Sequence, residues 1–273
     1  MNDRIVLKYA ELPRPLRKPL WRFWHNLMNG YERNDVSITC LNYGYAAMGD
    51  SPETIALPPE HERERYPVQL YHRAVGDGDL AGKRVLEVGC GRGGGASFLA
   101  KHFMPAEYIG LDLAPRNIRF CNEYHGTDNL RFVKGDAENL PFEDDTFDAV
   151  VNVESSRCYG DIPRFFREVR RVLTTDGRFH FVDMRWKEDL PLLREQLQEA
   201  GFAVDSEANI TENVVRSLDL DDERRRTAID RKVPRFLNKA FGEFAGVRGS
   251  GRYNEFADGR MQYVAMSLRP AGR

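Results

Sequence analysis

The stretch Val85-Leu86-Glu87-Val88-Gly89-Cys90-Gly91-Arg92-Gly93-Gly94-Gly95 constrains the fold more than any other part of the chain. The run ending in Val88 predicts a buried parallel strand. A glycine-rich turn follows, and Ala96-Ser97-Phe98-Leu99-Ala100 opens a helix. The glycines allow a sharp turn and a close approach by a ligand, where a side chain would collide. The helix N-terminus adds free N–H groups and partial positive charge. Such a turn can hold a nucleotide phosphate or an amino-acid carboxylate. Gly89, Gly91 and Gly94 also satisfy the dinucleotide spacing, but short glycine patterns recur by chance. The pattern around the turn has to decide its meaning.

From residue 83 that pattern alternates. Strands are expected near 84–88, 107–111, 130–134, 147–152 and 177–183, and helices near 95–103, 115–125 and 161–173. Strand–helix alternation predicts an α/β fold with a mainly parallel sheet covered on both faces. Pro115 suits an early helical position, and Thr174–Gly177 reads as a turn between helix and strand. A helix from Lys187 to Ala200 should stop at Gly201. Phe202–Ile210 reads as a strand, 211–246 as two helices broken near Pro234, and Met261–Leu268 as a last strand. Ahead of the core, Leu16 to Met28 places apolar and aromatic residues at helical spacing. The expected organisation is an N-terminal helical cap (1–78), a ligand-binding core (79–210), a helical cap insertion (211–257), and a final core strand with tail (258–273).

Composition narrows the function classes. The chain has 273 residues and a formal net charge of −2, so no global field favours nucleic acid or an anionic membrane. No segment approaches the ~20 apolar residues of a membrane span. The N-terminus lacks the apolar stretch of a secretory signal. Cys40, Cys90, Cys121 and Cys158 lie far apart, which disfavours a zinc site or disulfide framework and fits a reducing cytoplasm. No metal-ligand cluster is evident.

Three polar segments follow the glycine turn. Asp112 ends the second strand, 23 residues after Gly89. A carboxylate there can accept hydrogen bonds from both ribose hydroxyls. Asp136-Ala137-Glu138 follows the third strand, where a side-chain acceptor can meet an adenine amino group. Asn152-Val153-Glu154 ends the fourth. All three lie at carboxyl ends of parallel strands, where open α/β sheets bind ligands.

With these pieces in order, the chain resembles the class I S-adenosylmethionine (SAM)-dependent methyltransferases. The matching residues are Val85–Gly93, Gly110-Leu111-Asp112, Gly135–Phe142, Phe147-Asp148, and Glu168-Val169 through Leu173 with Asp176-Gly177. The resemblance implies a Rossmann-like seven-stranded sheet with one reversed strand at the edge, which Met261–Leu268 could supply. It implies SAM as cofactor, with S-adenosylhomocysteine as product. Gly89, Cys90 and Gly91 would border the methionine part, with Tyr43 also on the cofactor. Asp112 and Leu113 would take the ribose side, and Asp136, Ala137 and Glu138 the adenine side. The Asn152 carbonyl would approach the methionine ammonium, and Glu87 would support the loop.

A closer resemblance is carried by Trp24, Asn42–Tyr45, Leu70-Tyr71-His72-Arg73, Gly93–Ser97, Val153–Tyr159 and Glu243–Val247. These resemble the mycobacterial phthiotriol/phenolphthiotriol dimycocerosate O-methyltransferase group, whose relatives methylate lipids, fatty acids, glycolipids or terpenoid metabolites. The resemblance implies a hydrophobic small-molecule acceptor. The chain lacks the Asn/Asp-Pro-Pro-Tyr/Phe tetrapeptide of amino-methylating enzymes and has no net basic excess, so no nucleic-acid partner is expected; a homo-oligomer is left open.

Where the group commonly reads Val-Glu-Ala-Ser-His-Cys-Tyr, this chain has Val153-Glu154-Ser155-Ser156-Arg157-Cys158-Tyr159. Arginine cannot serve as an ordinary base, but its fork suits carboxylates and phosphates. Arg157 therefore points to an acidic acceptor, such as a fatty-acid carboxylate, or turns outward to a surface acid. A hydroxyl acceptor would need another base, among His72, His180, Glu154, Tyr43 and Tyr159. His180 lies within a strand and reads first as a core histidine. An isoprenyl diphosphate methylated at carbon is a further anionic alternative, with Glu154 as base or cation stabiliser. The acceptor is expected between Tyr43/Tyr45, Arg157/Tyr159 and the insertion helices with Phe241, while Trp24 and His25 could close it from the N-terminal helix. Two other classes compete: an NAD(P)-dependent oxidoreductase, and a SAM-binding protein without transfer activity.

Overall fold

A computed structural model describes residues 38–49, 55–57, 59–76 and 80–272. The aromatic face of Leu16–Met28, with Trp24 and His25, lies outside the described residues. The elements run α1 (Pro59–Glu62), α2 (Arg65–Val75), β1 (Arg84–Val88), α3 (Gly94–His102), β2 (Glu107–Asp112), α4 (Pro115–Tyr124), β3 (Leu130–Lys134) and β4 (Phe147–Val153). They continue with α5 (Ile162–Val172), β5 (Leu173–Trp186), α6 (Leu190–Glu199), β6 (Phe202–Asn209), α7 (Thr211–Lys232), α8 (Asn238–Ala245), α9 (Gly251–Ala257) and β7 (Met261–Pro270).

The seven strands form one sheet in the order β3-β2-β1-β4-β5-β7-β6. The first five pair in parallel, and β7 runs antiparallel to both β5 and β6. Successive side chains of a strand face opposite sides, so the sheet feeds two cores. On one side Val85, Val151 and Val182 pack with Val68 and Leu70 of α2 and Phe98 and Leu99 of α3. On the other, Leu86, Val150, Phe179 and Phe181 meet Phe165, Phe166 and Val169 of α5 and Leu193 and Leu197 of α6. Helix α5 buries those residues and Val172 at helical spacing, and Asp161 caps it by accepting the Arg164 N–H at 3.1 Å.

Two expectations are corrected. The reversed strand is not at the edge: β7 lies between β5 and β6. Its Tyr263, Val264, Ala265, Met266 and Leu268 are buried and need neighbours on both sides. Strand β6 exposes Val204-Asp205-Ser206-Glu207, the charged character that an edge tolerates. The Thr174–Gly177 turn is also absorbed into β5. Phe147 pairs with Leu173 and Ala149 with Arg178, so β5 carries three extra residues there and bulges. Helix α9 has no counterpart among the expected elements. Ser250 caps it by accepting the Tyr253 N–H at 3.2 Å.

Candidate active site

The carboxyl ends of β1, β2 and β4 converge on the glycine turn. Gly89, Gly91 and Gly93 have φ of 80°, 56° and 77°, the left-handed region that glycine adopts without strain. The Gly89 and Cys90 N–H groups both donate to the Leu111 carbonyl, at 2.7 and 3.0 Å. The Gly91 N–H donates to Asp112 Oδ2 at 3.0 Å. Asp112 Oδ1 accepts from the Ala114 N–H at 2.8 Å and Asn117 Nδ2 at 3.1 Å. Burial pushes the Asp112 carboxyl up to about 6 against the pull of these donors. A Cβ on Gly91 would meet nothing within 4 Å, so this part of the turn faces open space. A Cβ on Gly89 would lie 2.4 Å from Ser155 Oγ and 2.8 Å from the Tyr159 hydroxyl.

Asn152 and Ser155 tie the β4 end to this turn. Asn152 Nδ2 donates to the Val88 carbonyl at 2.9 Å and to Ser155 Oγ at 2.6 Å, while Asn152 Oδ1 is buried with no hydrogen-bond partner among the described residues. Ser155 Oγ and the Tyr159 hydroxyl are 2.8 Å apart. Asp136 Oδ1 accepts the Glu138 N–H at 3.0 Å, and Glu138 Oε1 accepts the Gly160 N–H at 2.8 Å, joining the loops after β3 and β4. Ala137 is buried and Leu113 half-buried beside them. Cys90 is buried, its thiol pushed up by desolvation. Glu87 lies beneath the turn, where the Tyr71 and Tyr108 hydroxyls each donate to one carboxylate oxygen at 2.9 Å. Burial raises its carboxyl to about 7.

A strap over residues 38–47 crosses this edge. The Gly94 N–H at the start of α3 donates to the Thr39 carbonyl at 3.1 Å. Buried Glu64 accepts the Thr39 N–H at 2.9 Å, Thr39 Oγ1 at 2.5 Å and the Cys40 N–H at 3.0 Å. Tyr43 is the strap's main junction. Its N–H donates to Glu154 Oε1 at 2.7 Å and its hydroxyl to the Phe244 carbonyl at 2.8 Å. Its carbonyl accepts from Ser217 Oγ at 2.7 Å and Arg225 at 3.1 Å.

Strap, β4 end, α7 and α8 enclose a cavity of about 130 Å³. Tyr43, Val233, Phe241 and Phe244 supply apolar wall, and Glu154 and Arg157 supply polar groups. Glu154 has a φ of 52°, unusual for a non-glycine residue. Desolvation raises its carboxyl to about 8, against the opposing pull of the Tyr43 N–H and Arg157. Asp183, fully buried where the parallel pairing of β5 with β4 ends, accepts Ser156 Oγ at 2.6 Å and the Arg157 N–H at 3.2 Å. Arg185 lies 3.2 Å from the same oxygen. Arg157 Nε stays 4.0 Å from the other Asp183 oxygen, and it is buried without a hydrogen-bond partner among the described residues.

Not every expected residue joins this group. His72 packs beside the Phe103 ring, 5.9 Å away, past the far end of α3. That is about 13 Å of helix from the glycine turn, because α2 faces the core along its length. Tyr45 is 3% exposed in the core, with its N–H on the Tyr66 carbonyl, and does not line the cavity. Tyr159 turns away from the cavity, stacking edgewise on Phe165 at 4.8 Å while its hydroxyl reaches Ser155. His180 is a core residue whose pKa burial lowers to about 4. Asp183 and Arg225 escaped the sequence reading. Asp183 carried a usable signal, an acid directly after the last residue that β5 pairs in parallel with β4, whereas Arg225 lay within the charge run Asp219 to Arg226.

Comparison with known proteins decides the family. Residues 86–181 match a methyltransferase domain model. The chain is 39% identical over 246 residues to the phthiotriol/phenolphthiotriol dimycocerosates methyltransferase of Mycobacterium tuberculosis, covering 90% of each chain. The chain belongs to this methyltransferase family. It is also 41% identical over 229 residues to a fatty-acid O-methyltransferase of Mycolicibacterium smegmatis, covering 84% of this chain and 82% of that one. Among solved structures it is similar to the cyclase SpnF, with a TM-score of 0.67 and 19% identity over 91% of this chain and 94% of that one. A fold shared with a cyclase carries the architecture alone. The enzyme is thus a SAM-dependent methyltransferase, and the oxidoreductase reading falls. The site suits that cofactor: Gly91 faces open space, Asp112 is half-buried at the strand end, and Asn152 Oδ1 is an unsatisfied buried acceptor.

Proposed function

We propose that this methyltransferase O-methylates the carboxylate of a hydrophobic acid, a long-chain fatty acid or a close analogue, held in the cavity behind Tyr43. The Arg157 Nε–H carries the proposal: it is buried on the cavity wall and no acceptor among the described residues satisfies it. An unmet buried donor is costly, and a guanidinium fork suits a carboxylate. With its carboxyl raised to about 8, Glu154 is largely neutral at pH 7 and does not itself neutralise the arginine. The Mycolicibacterium relative is named for the same acceptor class.

Bound SAM supplies a methyl carried on a sulfonium. Gly89, Gly91 and the Asn152 backbone would hold its methionine part, Asp112 and Leu113 its ribose, and Asp136, Ala137 and Glu138 its adenine. A carboxylate acceptor is already an anion at neutral pH and needs no base. The protein's task is then to align the acceptor and exclude water. Arg157 would orient the carboxylate, while Phe241, Phe244 and Val233 receive the chain. The strap and residues 211–257 would act as the cap, in a cytoplasmic enzyme; among the described residues no helix is long and apolar enough to cross a membrane.

A lipid hydroxyl is the second reading, favoured by Glu154 itself. A carboxyl raised to about 8 is a suitable general base near neutral pH. Methyl transfer from labelled SAM to fatty acids, lipid alcohols and isoprenyl diphosphates, followed by mild alkali, separates the cases. Label released as methanol identifies an ester. Label that survives identifies an ether or a carbon–methyl product and rejects the carboxylate reading. Arg157→Ala should raise KM for the acid at least about tenfold and leave SAM affinity unchanged. An unchanged KM removes the clamp.

A further inference from the structure

The cavity's outer wall has a second face. Helix α7 ends at Lys232, and a single 3₁₀ turn, Arg235–Leu237, leads into α8. From this turn Phe236 projects with 83% of its surface exposed. Large aromatic residues exposed singly are ordinary, but this one has charged company. Arg231, Arg235 and Lys239 are exposed around it. From Arg231 to Phe241 the sequence holds four cations and no acid, in a chain whose net charge is −2. The nearest acid in sequence, Asp230, accepts a hydrogen bond from Asn238 Nδ2 at 2.8 Å. The inner side of the same segment is apolar, and Ile229, Val233 and Phe241 line the acceptor cavity.

We propose that the α7–α8 turn docks the enzyme on an anionic phospholipid surface, so that a hydrophobic acceptor passes from the bilayer into the cavity. The proposal rests on the hydrophobic-acceptor reading but not on which oxygen is methylated. The charge pattern selects this partner. A cationic rim with an aromatic at its tip matches the headgroup boundary, where arginine and lysine meet phosphate and phenylalanine reaches the acyl region. A second copy of the chain would bring like charges together if the two turns met. The position also fits the need, because a lipid acceptor is scarce in free solution and abundant in a bilayer.

Each cation near an anionic surface strengthens binding about fivefold, so neutralising three should weaken it on the order of a hundredfold. The test is co-sedimentation of the full chain with vesicles of equal parts phosphatidylglycerol and phosphatidylcholine, and with phosphatidylcholine alone. Binding is expected to the anionic vesicles only, and to fall with salt. Phe236→Ser and the triple change Arg231→Gln, Arg235→Gln, Lys239→Gln should each lose vesicle binding. Both should keep the wild-type thermal midpoint and SAM affinity, which shows that the fold and cofactor site are intact. The proposal is overturned if the wild type ignores anionic vesicles, or if both variants bind as it does. It is also overturned if Phe236→Ser only abolishes a dimer that has no vesicle affinity. None of these readouts depends on the acceptor, so a failed carboxylate assay leaves this test standing.

Discussion

Replacing Glu87 by Gln should stabilise this enzyme at alkaline pH, although Glu87 is 1% exposed and fully hydrogen-bonded to two tyrosines. The reason lies in what burial does to its charge. Tyr71 and Tyr108 each donate one hydrogen bond, yet desolvation outweighs them and raises the carboxyl from 4.5 to about 7. The folded state therefore holds this proton more tightly than the unfolded chain. Stability from this group is fully present below the unfolded pKa and is lost as pH rises through the folded one. For pKa values of 4.5 and about 7, the loss between about pH 5 and pH 8 is about 2.5 kcal/mol. A glutamine does not ionise, and it can accept from one tyrosine while donating to the other. Urea unfolding of wild type and Glu87→Gln across that range should give a stability difference that moves in the variant's favour by about 2.5 kcal/mol. Glu154 is raised in the same direction, but it is common to both proteins and cancels in the comparison, while the charge of Asp112 is one of the smaller causes that raise Glu87 itself. A difference that stays flat, or moves toward the wild type, would refute the reasoning.

Three further substitutions probe the site. Gly89→Ala places a methyl group 2.4 Å from Ser155 Oγ on a backbone of φ 80°, and should weaken SAM binding at least about tenfold by calorimetry. Arg225→Met removes donors to the Asn42, Tyr43 and Ala245 carbonyls and leaves buried Asp221 with Arg224 alone, so urea unfolding should show a loss of about 3 kcal/mol. If a hydroxyl acceptor is turned over, its rate should rise with pH through the Glu154 value of about 8 and then level, and Glu154→Gln should abolish that limb. A pH–rate profile identical in the two proteins would remove Glu154 as base.

The core was readable because its signals are local. Val85–Val88 is a short apolar run, the glycines follow at once, and Asp112 ends the next strand, so strand, turn and acid each announced themselves within a few residues. The place of β7 was not local. Which neighbour it takes depends on comparing its apolar run with the polar Val204–Glu207 segment of β6, about 60 residues away. The bulge at Thr174–Gly177 hid for a related reason: turn residues mark a break in the chain, not whether the sheet closes around it. His72 and Tyr45 were chosen by residue type within a resembling segment. Both belong to stretches that pack against the sheet, and burial of the neighbouring apolar residues decides where they face.

The proposed acceptor side was harder because no contiguous segment builds it. Tyr43, Glu154, Arg157, Asp183, Arg225 and Phe241 come from five separate stretches, and each has an ordinary explanation when taken alone. Their meaning comes from the bonds at Tyr43. Through one residue the strap holds Glu154 by an N–H, meets α7 at Ser217 and Arg225 by its carbonyl, and meets α8 at the Phe244 carbonyl by its hydroxyl. The cap and the β4 end therefore share a junction, and a change in the α7–α8 wall can reach Glu154 without touching it. Tyr43→Phe isolates the link to α8, since it deletes only the 2.8 Å bond to the Phe244 carbonyl. The expected cost is about 1 kcal/mol in stability, with a larger proportional loss in kcat than in SAM affinity. An equal loss in both would mean that the strap serves the cofactor alone, and that α7 and α8 merely lean against it.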